Sequence, residues 1–234
     1  MMDARDTLPA VIDAVAEHYP EVRELDIGTQ LSDNVTLSTM HGCPPDEIER
    51  IARYLIEERG LHTAVKLNPT LLGPERLRGI LNDELGFTDV TVPDEAFGHD
   101  LKYPDAVAMI GSLRESAKKK GVQFGLKLTN TLEVQNHRDV FRDDQSMMYM
   151  SGRALHPLTI NLAAKLQAEF QGAVPISLSG GADAFNLGEV LACGLQPVTV
   201  CTDLLKPGGY TRLPQYLERL AEQMRVVRAR SLEA

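Results

Sequence analysis

The stretch ISLSGGADAFN, residues 176–186, and after it VTVCTDLLKPGG, residues 198–209, decide the reading of the fold. Each is a short apolar run that ends abruptly in polar residues. The same pattern recurs upstream, so that seven strands are expected: Val35–Ser38, Thr63–Leu67, Asp89–Val92, Val122–Leu128, Met147–Met150, Val174–Leu178 and Val198–Cys201. Most runs are continuous rather than alternating, as in parallel strands covered on both faces. Between them apolar residues fall at helical spacing, for example Ile48, Ile51, Ala52, Leu55 and Ile56, and later Ala106, Met109, Ile110, Leu113 and Ala117. A last amphipathic helix uses Leu217, Leu220, Ala221, Met224 and Val227. Strand and helix alternate at close to the ~30 residues of a βαβ unit, which demands a parallel sheet in one domain.

That alternation is the pattern of an α/β fold of the TIM, or (β/α)8, barrel type. The strand count is one short. A helix at about 8–18 comes first, and only the weak segment 22–27 could precede Val35 as a strand. The expectation is a barrel lacking its first strand, as the downstream part of a longer polypeptide would be; a doubly wound open sheet is the alternative. Residues 1–32 form an N-terminal helix and connection, and residues 33–234 the single barrel domain.

Composition narrows the function. The chain has 234 residues, 43% of them hydrophobic, enough for one substantial core. Its net charge is −9 and its basic residues are dispersed, which excludes nucleic acid and an anionic membrane surface as partners. The N-terminus is acidic without the apolar core of a signal peptide, and no run is long enough to cross a bilayer. Cys43, Cys193 and Cys201 form no CxxC pair and no Cys/His cluster. No iron–sulfur cluster or metal is therefore expected in this chain, and reduced thiols point to the cytoplasm. The absence of GxGxxG removes a dinucleotide-binding Rossmann unit.

Parallel strands bring their C-terminal ends to one face, where barrel active sites sit. The residues collected there are Thr39, His41 and Cys43; Lys66 and Asn68; Asp94 and Glu95; Lys127 and Asn130; Ser151 and Gly152; Ser179, Gly180 and Gly181; and Thr202 with Asp203. Ser179-Gly180-Gly181 lets backbone N–H groups approach an anion, and a helix start follows it. A tight strand-to-helix turn is the competing role. Two lysines in one mouth suit an anionic or electron-rich guest, and either could instead form a Schiff base. An ion pair with a carboxylate such as Glu95 would serve equally. Cys43 in HGCPPDE precedes a helix start, where the dipole favours thiolate; a small packing residue in a Pro-rich turn is the other reading.

The segments NVTLSTMHGCPPDEIERI, HTAVKLNPTLLG, GLKLTNTLEV, MYMSGRALHPLTINLAAKL, ISLSGGADAFN and VCTDLLKPGGY resemble the barrel portion of the selenate reductase iron–sulfur/flavin subunit family. That family is similar to dihydropyrimidine and dihydroorotate dehydrogenases. The resemblance runs from about Asp33 to Tyr216. It implies FMN at the barrel mouth, with Lys127 and Asn130 at the ring, Lys66 and Asn68 among the cofactor-binding residues, and Ser151 and Gly152 in the loop after strand 6. It further implies that Ser179, Gly180 and Gly181 grip the phosphate, with Thr202 and Asp203 alongside. Lys127 would stabilise negative charge on the reduced ring. Two departures stand out: the loop FTDVTVPDEAFGHD has no Cys or Ser for an acid/base, and Thr131 follows KLTN where a proline-containing KLTPN is the family pattern. A catalytic role for Cys43 is correspondingly weak.

The resemblance makes the chain an FMN-type oxidoreductase module of a larger electron-transfer assembly, with iron–sulfur, FAD and NAD(P)H modules supplied elsewhere. A non-catalytic scaffold barrel and a Schiff-base lyase are the alternatives. A barrel without its first strand also calls for a partner segment or oligomer contact over the exposed edge.

Overall fold

The computed structural model of the protein describes residues 2–38, 42–137, 141–142 and 144–231. Thr39 and His41 of the expected strand-end face lie outside them. The chain opens with β1 (Met2–Asp3), α1 (Leu8–Ala16) and β2 (Gln30–Ser32), with β1 antiparallel to β2. There follow β3 (Asn34–Ser38), α2 (Pro45–Arg53), β4 (His62–Leu67), α3 (Pro74–Arg78), α4 (Asp94–His99) and α5 (Tyr103–Lys120). Next come β5 (Phe124–Leu128), β6 (Leu132–Gln135), β7 (Met147–Met150) and α6 (His156–Glu169). The last elements are β8 (Ile176–Leu178), α7 (Leu187–Ala192), β9 (Leu195–Val198) and α8 (Leu213–Val227).

Five strands form one parallel sheet in the order β3-β4-β5-β8-β9. Parity along the strands sorts the side chains. Val65, Leu67, Leu126, Leu128, Ile176 and Leu178 are buried in the core shared with the helices. The alternate set faces the other way, and the register sets it in rows. Ser38, Lys66, Lys127 and Ser177 lie opposite one another across four strands, one level above Thr36, Ala64 and Gly125. This inward face is small and polar, unlike the branched apolar layers that usually fill a barrel.

Helix punctuation follows the sequence. Pro45 opens α2 with Asp46 and Glu47 in its first turn, and Gly121, at φ 70°, ends α5 after Lys118, Lys119 and Lys120.

Three strand expectations change. Asp89–Val92 forms no strand, although Val92 is 1% exposed. Its tie to a strand is the bond from Gln135 N–H to Thr91 O, 2.9 Å, while Val90 N–H bonds locally to Phe87 O at 3.1 Å. Its apolar residues require burial, not pairing. Met147–Met150 is a strand, but it pairs antiparallel with β6, Leu132 opposite Met150, and so stands outside the parallel sheet. The last strand ends at Val198, leaving Val200 and Cys201 to the loop beyond it. It is an edge strand, where Pro197 is tolerated. Among the described residues no parallel strand precedes β3, and no helix is long and apolar enough to cross a membrane.

Candidate functional site

A cavity of about 510 Å3 opens at the C-terminal ends of β4, β5, β8 and β9, and it gathers much of the expected face. Lys66, Ser151, Gly152, Ser179, Gly181, Thr202 and Asp203 line it, as do Thr129, Arg153, Ala182, Asp183, Cys201 and Lys206. Its volume falls within the roughly 300–1,000 Å3 of small-molecule and cofactor clefts.

The glycine turn is built by close approach. A Cβ on Gly180 would overlap Thr159 Oγ1, and one on Gly181 would overlap the Gly152 carbonyl oxygen and come within 2.9 Å of His156 Cβ. Gly181 also has φ +73° and Gly152 φ +70°, where a Cβ would meet Thr202 Cγ2 at 2.8 Å. The loops after β7, β8 and β9 are thus locked against one another. Ser179 N–H donates to Leu128 O at 2.5 Å and holds the turn on β5. Beyond it, the N–H groups of Gly180, Gly181 and Ala182 find no acceptor among the described residues, although Gly180 and Ala182 are buried. Buried N–H groups are nearly always paired, so this run of three, two of them on buried residues, makes a concavity suited to an anion. His156 packs behind the turn, and burial lowers its pKa, opposed by the Gly180 backbone. Its Nδ1 is buried without a partner among the described residues.

Two carboxylates anchor the rim. Asp183 is buried, pairs with Arg153 Nη2 at 2.5 Å and accepts Phe185 N–H at 2.8 Å. Asn186 closes the same loop, accepting from Asp183 N–H at 2.8 Å and donating to Gly181 O at 3.1 Å. Asp203 accepts from Tyr216 OH at 2.6 Å, Lys206 Nζ at 3.1 Å and Arg212 Nη2 at 3.1 Å. These bonds, the Tyr216 hydroxyl foremost, bring the Asp203 carboxyl down to about 2. Both carboxylates are therefore engaged, while Arg153 and Lys206 keep 62% and 46% of their side chains exposed beside the cavity.

The two lysines part company. They are cross-strand neighbours, and burial lowers the pKa of each; the Lys127 charge lowers that of Lys66 further. Lys66 lines the upper cavity, whereas Lys127 lines a second cavity of about 530 Å3 towards the N-terminal ends of the strands, with Thr36, Ala64, Gly125 and Ser177. Asn130 Nδ2 donates to Asn68 Oδ1 at 2.7 Å, and Asn130 Oδ1 accepts from Ser38 Oγ at 3.1 Å. That pair braces β3, β4 and β5 without lining the cavity.

Cys43 stands apart, packed against the core near the start of α2. Burial, then the Glu47 and Asp46 carboxylates, push its thiol up, so the thiolate expected from the helix start is disfavoured. Glu95 and Asp94 sit on α4 and line neither lysine's cavity, with Asp94 paired to Arg78 at 2.6 Å. Arg153, Asp183 and Lys206 were not singled out by the strand-end reading. Their signal was position: each follows an expected strand end by a few residues, in SGR, GGAD and LLKPGG. Among the described residues no group of His, Cys, Asp and Glu could hold a metal ion.

Against known proteins, residues 3–234 match the family model of the oxidoreductase YgfK N-terminal TIM-barrel domain. YgfK of Escherichia coli strain K12, named as an oxidoreductase, is 52% identical over 194 residues, 83% of this chain, and YgfK of strain O157:H7 matches to the same extent. The matched segment spans only 18% of the length of these relatives. Among solved structures, ligand-free DHODH from Eimeria tenella is similar over 97% of this chain and 68% of its own, at 15% identity and a TM-score of 0.46. The same organism's DHODH in complex with ferulenol is similar over 78% and 55%, at 16% identity and a TM-score of 0.43.

Proposed function

The chain belongs to the family of YgfK oxidoreductase N-terminal TIM-barrel domains, and from that premise we propose that its upper cavity binds FMN. The observation that carries the reading is the run of N–H groups at Gly180, Gly181 and Ala182 without an acceptor among the described residues, of which Gly181 and Ala182 line a cavity flanked by Arg153 and Lys206. Backbone donors and nearby cations are what a phosphate monoester dianion needs. Bound there, FMN supplies an acceptor for a hydride or for electrons. Lys66 contributes positive charge on the strand side of the cavity, where a reduced flavin ring carries negative charge. Thr129, Ser151 and Thr202 add hydroxyl groups that can orient a polar ring edge. Lys127, one strand over, acts through its field on Lys66.

Family relatives are several times longer than this chain, which supports reading the barrel as one module of a larger protein, proposed as an electron-transfer assembly of selenate reductase type. Iron–sulfur, FAD and NAD(P)H modules are the proposed electron partners. Three free cysteines, two of them exposed, suit the cytoplasm. A non-catalytic scaffold is the second reading, favoured by the segment 87–100, which brings no Cys or Ser to the cavity.

Titration of the purified chain with FMN, followed by flavin absorbance, tests the proposal. Saturable binding with shifted flavin bands is expected. An unchanged spectrum at high FMN sinks the cofactor reading and leaves the scaffold.

A further inference from the structure

The N-terminal helix poses a problem of composition. α1 reads LPAVIDAVA, with Asp13 its one charged residue, yet only Ala16 is buried. Val11 is 54% exposed, Val15 42% and Tyr19 52%. Together with Ala10, Ala14 and His18 they line a shallow apolar depression. A helix that is apolar nearly all round belongs in a core or an interface, and a contiguous apolar patch of this kind marks a binding surface.

The opposite end of the chain shows the complement. α8 buries only Tyr216, and its stripe Leu217, Leu220, Met224 and Val227 recurs at helical spacing. With Leu191 and Ala192 of α7, the last three of these form an apolar groove of about 340 Å3. Charge matches the two surfaces. Residues 2–33 carry eight carboxylates against two guanidiniums, while residues 213–231 carry four guanidiniums against two carboxylates. Arg225, Arg228 and Arg230 alternate along the chain with the groove-lining Met224, Val227, Ala229 and Ser231, without an intervening acid, and Asp6 and Glu17 flank α1.

We propose that α1 of one copy of this chain docks in the α7–α8 groove of a second copy. The mode is an apolar helix laid in a groove, with Val11, Val15 and, just past the helix, Tyr19 as anchors at i, i+4 and i+8. Acidic flanks of α1 meet the arginine-rich end of α8 and fix the direction of the helix. The contact is heterologous, since the two surfaces differ, so it closes as a reciprocal dimer or a ring.

Sedimentation velocity across the micromolar range tests this with Val11→Glu, which spoils the helix, and Val227→Glu, which spoils the groove. Both sites are exposed, so the fold is expected to survive, as circular dichroism will show; Tyr19→Ser and Met224→Ser replace either variant that does not fold. The wild-type chain is expected to self-associate, with affinity falling about tenfold as salt rises from about 0.1 to 0.5 M. Each variant alone is expected to be monomeric. Mixed, they are expected to form a one-to-one heterodimer, because one retains the groove and the other the helix. A monomeric wild-type chain overturns the proposal. So does a Val11→Glu variant that still dimerises, the mark of α8 pairing with α8, or a mixture that stays monomeric.

Discussion

Gly181→Ala tests the interlocked loops most sharply. Two costs add at this position. An alanine at φ +73° pays about 1–2 kcal/mol for the left-handed backbone. Its Cβ would also press on the Gly152 carbonyl oxygen, His156 Cβ and His156 N, where backbone cannot swing away. Overpacking of that kind costs roughly 1–3 kcal/mol, for a total of about 2–5 kcal/mol. In a chain of this size each kcal/mol lowers Tm by roughly 2–4 °C, so a fall of at least about 4 °C is expected. Gly194→Ala is the internal control, because Gly194 has φ +74° with nothing within 4 Å of the added Cβ. It pays the backbone cost alone. Urea melts of both variants separate the two terms. If Gly181→Ala destabilises no more than Gly194→Ala, the loops after β7 and β8 are not locked as described, and the orientation of the free N–H groups loses its explanation.

Asp203→Asn should cost on the order of 2 kcal/mol or less near neutral pH, the equivalent of a carboxyl lowered from 3.8 to about 2, reduced by solvent around Lys206. Because the folded value lies below the unfolded one, that stabilisation is present above about pH 3.8 and fades as pH falls towards about 2. Urea melts at several pH values should therefore show wild type and variant converging in acid; a constant gap would refute the pairing. Cys43 should be alkylated at least about tenfold more slowly than the exposed Cys193 and Cys201, since burial and two carboxylates disfavour its thiolate. Mass spectrometry after brief iodoacetamide treatment reads the order directly, and a fast Cys43 contradicts it.

The sequence made the parallel strands and the mouth legible for different reasons. HTAVKL and FGLKL are visible because their continuous apolar residues face helices while the lysines between them face inward. Asp89–Val92 has the same local texture, yet Val90 and Val92 bury themselves without entering the ladder, a choice made by tertiary packing. LEVQ gave little warning of a strand, because it finds its partner in Met147–Met150 after an eleven-residue connection. At the site, SGG announced itself through glycine, and its packing contacts show why both glycines are needed. Arg153 and Lys206 were hidden because a surface cation looks alike whether or not a buried aspartate aims it into a cavity. Register separated the lysines: cross-strand neighbours on one face serve two different cavities.

If the Ser179–Ala182 turn holds a phosphate, FMN and riboflavin must bind this chain with different affinities. The two ligands share the ring and differ in the phosphate. Two or three charge-assisted hydrogen bonds from backbone N–H groups, each contributing about 1.5–3 kcal/mol, predict at least a hundredfold or so tighter binding of FMN. Equilibrium dialysis of both flavins against the chain gives the ratio. Tight FMN with weak riboflavin is the predicted result; equal affinity, or no binding of either, contradicts the account.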